Sequence, residues 1–209
     1  MKTILAFGDS LTWGADPATT LRHPPEFRWP DVLERELGGE ARVIGEGLGG
    51  RTTCYDDHTG PCCRNGAKAL QVALASHMPL DLVIIMLGTN DLKPVFGGQA
   101  EPAVSGMRRL AQIVETFPYK PRTAIPRLLI VAPPPCVAGP SGTPAAGRRI
   151  TESARLAPLY EALAAELGHA FFDAGTVAQA SPIDGVHLSA EDTQAIGKAL
   201  AAPVRTIFA

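Results

Sequence analysis

The chain has no excess of charge of either sign, no long apolar run, and no cysteine spacing of the kind that grips a metal. Its 209 residues carry a net charge of -2 and an isoelectric point near 6.2. No basic surplus is therefore available to meet nucleic-acid phosphates. The longest uninterrupted apolar run, Leu82 to Leu87, is far too short to cross a bilayer. The N-terminus, MKTILAFGDS, offers an apolar stretch of only about five residues, short of a secretory h-region and its cleavage site. The expectation is a cytoplasmic protein. Cys54, Cys62, Cys63 and Cys136 form no C-x-x-C. Reduced thiols are expected, with no metal and no cofactor. A P-loop and a G-x-S-x-G segment are also missing, which excludes the phosphate cradle and the nucleophile elbow of the α/β-hydrolases.

What is present is an ordinary globular balance, 45% apolar and 19% charged, in a length that fits one domain. A chain this long buries roughly 70% of its unfolded surface. There are 21 glycines and 19 prolines, a density that predicts many working loops between regular elements. No repeat or linker divides residues 1–209. Lys2 to Phe7 reads as a short buried strand. Trp29, Val32, Leu33 and Leu37 share one face of a helix begun at Pro30 and ended at Gly38-Gly39. Arg42 to Gly45 is a weak strand, and Asn65 opens a helical stretch. Asp81 to Leu87 is the strongest strand, continuous and β-branched, as in the middle of a parallel sheet. Pro102 to Thr116 is helical, and Arg127 to Ala132 is a second buried strand stopped by three prolines. Cys136 to Arg149 is predicted to be a long surface loop. Ile150 to Leu167 is predicted to be one helix, Ala170 to Asp173 a strand, and Ser189 to Ile207 a closing helix with Asp192 at its third position.

Strands alternating with helices imply a parallel five-stranded sheet with helices on both faces, in which ligands gather at the carboxyl ends of the strands. Four strand ends carry chemistry: Gly8-Asp9-Ser10, Gly47 to Arg51, Gly88-Thr89-Asn90-Asp91 and, some way past the last strand, Asp184-Gly185-Val186-His187. Taken singly, each has a plainer explanation: a helix cap at Ser10 or Asn90, a turn at Gly49-Gly50, a surface Asp-x-x-His. Together they supply what a nucleophilic serine needs. Ser10 sits at a sharp turn, and Asp184 and His187 lie three apart so that one turn can hold the base beside its carboxylate. Gly50, Asn90 and the amide of Ser10 provide three donors for a developing oxyanion. Trp13 is expected to overhang the acyl or alcohol pocket and Val186 to form part of its wall, with Leu11 packed beneath the nucleophile as a further substrate-side residue. Asp9 is expected to brace the nucleophile turn. His58, after Asp56-Asp57, lacks further ligands for a metal.

These strings, FGDSLTWG, GLGGRTT, DLVIIMLGTND and DGVH, resemble the four blocks of the SGNH-hydrolase (GDSL esterase) family across essentially the whole chain. They are closest to its arylesterase and acyltransferase (perhydrolase) branch. The resemblance implies a three-layer α/β/α sandwich of flavodoxin-like shape. It also implies a Ser10–His187–Asp184 triad, and an oxyanion hole of Ser10, Gly50 and Asn90. The implied reaction is hydrolysis of small short-acyl esters through an acyl-enzyme, with acyl transfer to alcohols or peroxide as an extension. The branch further implies a homo-oligomer, an octamer in its known members, and stretches 17–28 and 136–149 are the expected contacts. A carbohydrate O-acetyl esterase using the same residues stays open as an alternative. So does a non-catalytic flavodoxin-like binding module, which would need a phosphate-cradling glycine loop.

Overall fold

The computed structural model describes residues 1–121 and 123–209. Its centre is an all-parallel sheet of β1 (Lys2–Gly8), β2 (Ala41–Gly47), β3 (Leu82–Met86), β4 (Arg127–Ala132) and β5 (Ala170–Asp173). The spatial order is β2-β1-β3-β4-β5. Every residue of β3 is buried, because helices cover both faces and its neighbours β1 and β4 flank it. Alternate side chains feed two cores. Leu5, Phe7, Val83, Ile85, Leu128 and Ile130 pack towards α3 (Gly66–His77), α4 (Ala100–Thr116) and α6 (Leu156–Leu167). Ile4, Ala6, Leu82, Ile84, Leu129 and Val131 pack towards α2 (Trp29–Glu36) and α7 (Ala190–Phe208). Each such Ile or Leu contributes about 1.5–3 kcal/mol by leaving water.

Chain order reverses at β1, whose neighbours are β2 on one side and β3 on the other. The crevice at such a switch point is where parallel sheets take ligands. Ser10 comes directly after the end of β1 and Asn90 stands just beyond β3. A short helix that the sequence pattern does not announce, α1 (Ser10–Trp13), starts there.

Three expectations need correction. The helix expected over 150–167 breaks into α5 (Ile150–Ala154) and α6. Pro158 has no N–H for the Ala154 carbonyl four residues back and its ring crowds that carbonyl, so the first piece stops at Ala154. The weak strand expected over Arg42 to Gly45 is a full edge strand, paired with β1 from Ala41 to Gly47; Gly45, Glu46 and Gly47 dilute its pattern. The stretch 136–149 is no simple surface loop. Cys136 and Arg148 are buried, and a short 3-10 turn runs through Ala145–Gly147.

Candidate active site

Ser10 occupies the first position of α1, where an amide has no acceptor within the helix. Asp9 caps that helix, its Oδ1 accepting from Leu11 N at 2.9 Å. The helix lies tight against the end of β2. A Cβ on Gly47 would fall 2.2 Å from the Trp13 nitrogen, so only glycine admits the approach. Ser10 Oγ stands 3.0 Å from His187 Nε2. On the far side of the ring, His187 Nδ1 is 2.5 Å from Asp184 Oδ2. A carboxylate can only accept, so the proton sits on Nδ1 and Nε2 is left to accept from the serine hydroxyl. The other Asp184 oxygen takes the amides of Val186 and His187 at 2.8 and 2.9 Å. Burial works against the Asp184 charge, but the bonds from His187 and Val186 outweigh it and hold this carboxyl below the ordinary range.

Asn90 ties the remaining pieces together. Its Nδ2 donates to Asp9 Oδ2 at 3.0 Å and to the Arg51 carbonyl at 3.1 Å. It thus bonds the residue before Ser10 and the residue after Gly50. Gly50 itself has φ +81, a left-handed conformation that side-chain-bearing residues resist. Asp91, next in the chain, accepts from Thr53 N with both oxygens at 3.1 and 3.0 Å, and also from the Thr53 hydroxyl. The glycine segment is therefore pinned on both sides. Burial pushes the Asp91 carboxyl up to about 7 against these bonds. It also raises the Asp9 carboxyl, although the Leu11 amide and the charges of His187, Arg148 and Arg51 oppose the shift.

Arg148 is the residue that sequence reasoning missed. It donates to the Thr89 carbonyl at 2.7 Å, the Ala145 carbonyl at 2.6 Å and Asn90 Oδ1 at 2.8 Å. A guanidinium only donates, so it faces the amide oxygen and turns the amide nitrogen toward Asp9 and the Arg51 carbonyl. The same loop bonds the turn that carries Asp184 and His187, with Val137 N to the Gly185 carbonyl at 3.0 Å and Ala145 N to the Asp184 carbonyl at 2.7 Å. No local signal marks Arg148 in the sequence, because its acceptors are carbonyls and an amide, not a carboxylate at helical spacing.

The other residues picked out in the sequence behave differently. Leu11 and Val186 are each 3% exposed and show a substrate almost no surface; Leu11 belongs to the core. Trp13 is half-buried at the end of α1, with the Arg22 guanidinium 5.3 Å above its ring. Asp57 is paired with Arg64 at 3.2 Å and Lys93 at 3.1 Å, and all four cysteines are free. The letters Gly45-Glu46-Gly47-Leu48-Gly49-Gly50 match a dinucleotide-type G-x-G-x-x-G. They run out of the edge strand, however, and the next helix starts only at Gly66, so no helix terminus awaits a phosphate. A groove of about 870 Å³ runs past Tyr55, Arg109 and Arg149 and includes none of the catalytic candidates. Among the described residues no helix is long and apolar enough to cross a membrane.

A strand-end serine in hydrogen-bond contact with a carboxylate-backed histidine, on this sheet, defines the class. The GDSL-like Lipase/Acylhydrolase family matches residues 6–194, and the chain belongs to that family of carboxylic ester hydrolases. Membership removes the non-catalytic binding-module alternative. Among solved structures it is similar to a "putative arylesterase" from Agrobacterium tumefaciens str. C58, at 79% identity and TM-score 0.98, covering 99% of this chain and 100% of that one. It is also similar to a carbohydrate acetylesterase family member from Sinorhizobium meliloti, at 49% identity, TM-score 0.95 and 99% of each chain. A third is the aryl esterase of M. smegmatis, at 42% identity and TM-score 0.90, covering 99% and 100%. No curated protein matches the chain.

Proposed function

We propose that the protein is an arylesterase-type serine esterase that cleaves small, short-acyl esters through an acyl-enzyme on Ser10. The observation that carries this reading is the 3.0 Å contact between Ser10 Oγ and His187 Nε2, with Asp184 behind the ring. His187 takes the serine proton as Ser10 attacks the ester carbonyl. The amides of Ser10 and Gly50 receive the negative oxygen, together with the Asn90 N–H that at rest points to the Arg51 carbonyl and is then shared with the substrate. His187 then returns the proton to the departing alcohol, and Asp184 stabilises the charged ring in between. Water resolves the acyl-enzyme by the same steps; an alcohol or peroxide of the right shape takes its place in acyl transfer. Trp13, one helical turn from Ser10, bounds the space left for that second reactant. The protein works in the cytoplasm as a homo-oligomer. Exposed Leu21, at 67%, which follows Ser10 in the chain, and Ile183, at 51%, which precedes Asp184, support the assembly.

A second reading, a carbohydrate O-acetyl esterase, is favoured by the Sinorhizobium meliloti relative at 49% identity. One panel separates them. Nitrophenyl acetate and butyrate are compared with acetylated sugars by kcat/KM, with products resolved by chromatography in the presence of benzyl alcohol. The arylesterase reading expects aryl acetates to lead by at least about tenfold, a difference of about 1.4 kcal/mol in transition-state binding. A lead for acetylated sugars reverses the assignment.

A further inference from the structure

Cys62 and Cys63 are neighbours in sequence, and both are exposed. They come just after Pro61 and line one cavity of about 330 Å³ together with His58 and two ion pairs, Lys68–Asp56 and Arg64–Asp57. Cys54 is half-buried and Cys136 buried, each on its own segment. The cysteine pair therefore offers what the other two thiols do not: two soft donors adjacent in the chain, open to solvent and lining one cavity.

Arg64, the next residue after Cys63, links the pair to the ester site. Its side chain lies between two glycines. A Cβ added to Gly50 would fall 2.7 Å from Arg64 Nε, and one added to Gly60 would fall 2.5 Å from Arg64 Cζ. The Arg64 carbonyl accepts from Thr52 N at 3.0 Å, two residues past Gly50. Its guanidinium is held in place by Asp57 at 3.2 Å and Thr59 at 3.1 Å. A change at Cys62-Cys63 therefore reaches the Gly50 segment through one residue, by both its side chain and its backbone.

We propose that Cys62 and Cys63 form a dithiol site for trivalent arsenicals, and that filling it slows ester hydrolysis by moving Arg64 against Gly50. An organoarsenic oxide, R–As=O, reacts with two thiols. Two S–As bonds form, the As=O oxygen leaves as water with both thiol protons, and arsenic stays trivalent, so neither oxidant nor reductant is consumed. The two side chains and the peptide bond between them close into one ring through arsenic, which a lone thiol cannot form. Ring closure fixes both side chains and tightens the Cys63–Arg64 segment. The effect on turnover rests on the reading of Gly50 as an oxyanion donor; the arsenical site does not.

The test adds one equivalent of phenylarsine oxide to the native protein and monitors intact mass and nitrophenyl acetate turnover. The expected result is one adduct, heavier by the reagent less one water, reversed by dimercaptopropanol. With it, kcat falls roughly tenfold to a hundredfold at nearly constant KM, the scale of a catalytic group displaced by up to an ångström. The double variant Cys62→Ser, Cys63→Ser keeps the parent turnover and takes up no reagent. No adduct at one equivalent, or an adduct that persists in the double variant, overturns the site. An adduct that leaves kcat unchanged overturns the coupling to Gly50. The esterase reading is judged separately, by turnover of the untreated protein.

Discussion

The two halves of the site are built to different standards of dryness. The half proposed to move protons is partly open to water: the side chains of His187 and Asp184 keep 26% and 23% of their surface, on a turn stitched by backbone amides. The half proposed to hold a transient negative charge is sunk into the protein. Asn90 is 3% exposed, and Asp9 and Asp91 are each 1% exposed. The Asn90 amide nitrogen donates twice and its oxygen is held by Arg148. The difference reflects what each half does. Proton transfer needs a group that can change charge, and contact with water keeps that change cheap. Charge stabilisation needs dipoles that are already aimed, because reorienting them during the reaction would cost the energy they supply.

Mutations can break this division of labour one half at a time. The largest effect is expected from Ser10→Ala, which removes the proposed nucleophile. Turnover of nitrophenyl acetate should fall on the order of 10⁶, leaving only what binding and the oxyanion donors supply. Activity above a few per cent in pure protein would place the nucleophile elsewhere. On the buried side, Asn90→Ala should cost roughly 10²–10³, the scale of one oxyanion donor. That loss belongs in kcat and not in KM, since the bond is made in the transition state; an unchanged kcat would reduce Asn90 to a strut.

A smaller effect tests whether the buried half is truly aimed from behind. Arg148→Met leaves Asn90 in place but frees its amide oxygen, and kcat should drop about tenfold with KM steady. Arg148→Lys should recover only part of the loss, because an ammonium cannot span Thr89, Ala145 and Asn90 as the guanidinium fork does. Equal losses in kcat and thermal stability, with no difference between Met and Lys, would assign Arg148 a packing role alone. Smallest of all for turnover, and visible mainly in stability, is Asp91. Its folded value of about 7 stands above the ordinary 3.8, so the folded chain binds the proton more tightly than the unfolded one. Its contribution is accordingly most favourable below about pH 4 and declines as pH rises toward 7. Asp91→Asn has no such titration. Measured by thermal unfolding, the variant should gain on the parent as pH rises from about 4 to about 7; a constant gap between the two curves would refute the buried-carboxyl account.

The same contrast decides how much was legible in the sequence. Groups that work through covalent neighbours announce themselves. Ser10 stands beside its cap Asp9, and Asp184 and His187 share one turn, so their spacing carries the geometry. The central strands are equally plain, since Leu82 to Met86 are apolar on both faces. The clamps are hidden because they join residues far apart: Arg148 reaches Asn90 across 58 positions and Asp91 reaches Thr53 across 38. An arginine in a glycine- and proline-rich stretch looks solvated until its backbone acceptors are known. The break before Leu156, by contrast, was readable from Pro158 and the rule for proline inside helices.

Ser10 and His187 meet across 177 positions of sequence. During synthesis the proposed nucleophile emerges with the first strand, and its proposed base arrives only after four further strands have been made. Until β5 and α7 dock, the growing chain carries a serine with no partner and cannot attack the esters around it. Contacts this remote also form late on the folding path. The onset of ester cleavage therefore doubles as a clock for the final step of assembly, one that no probe of the early strands would read.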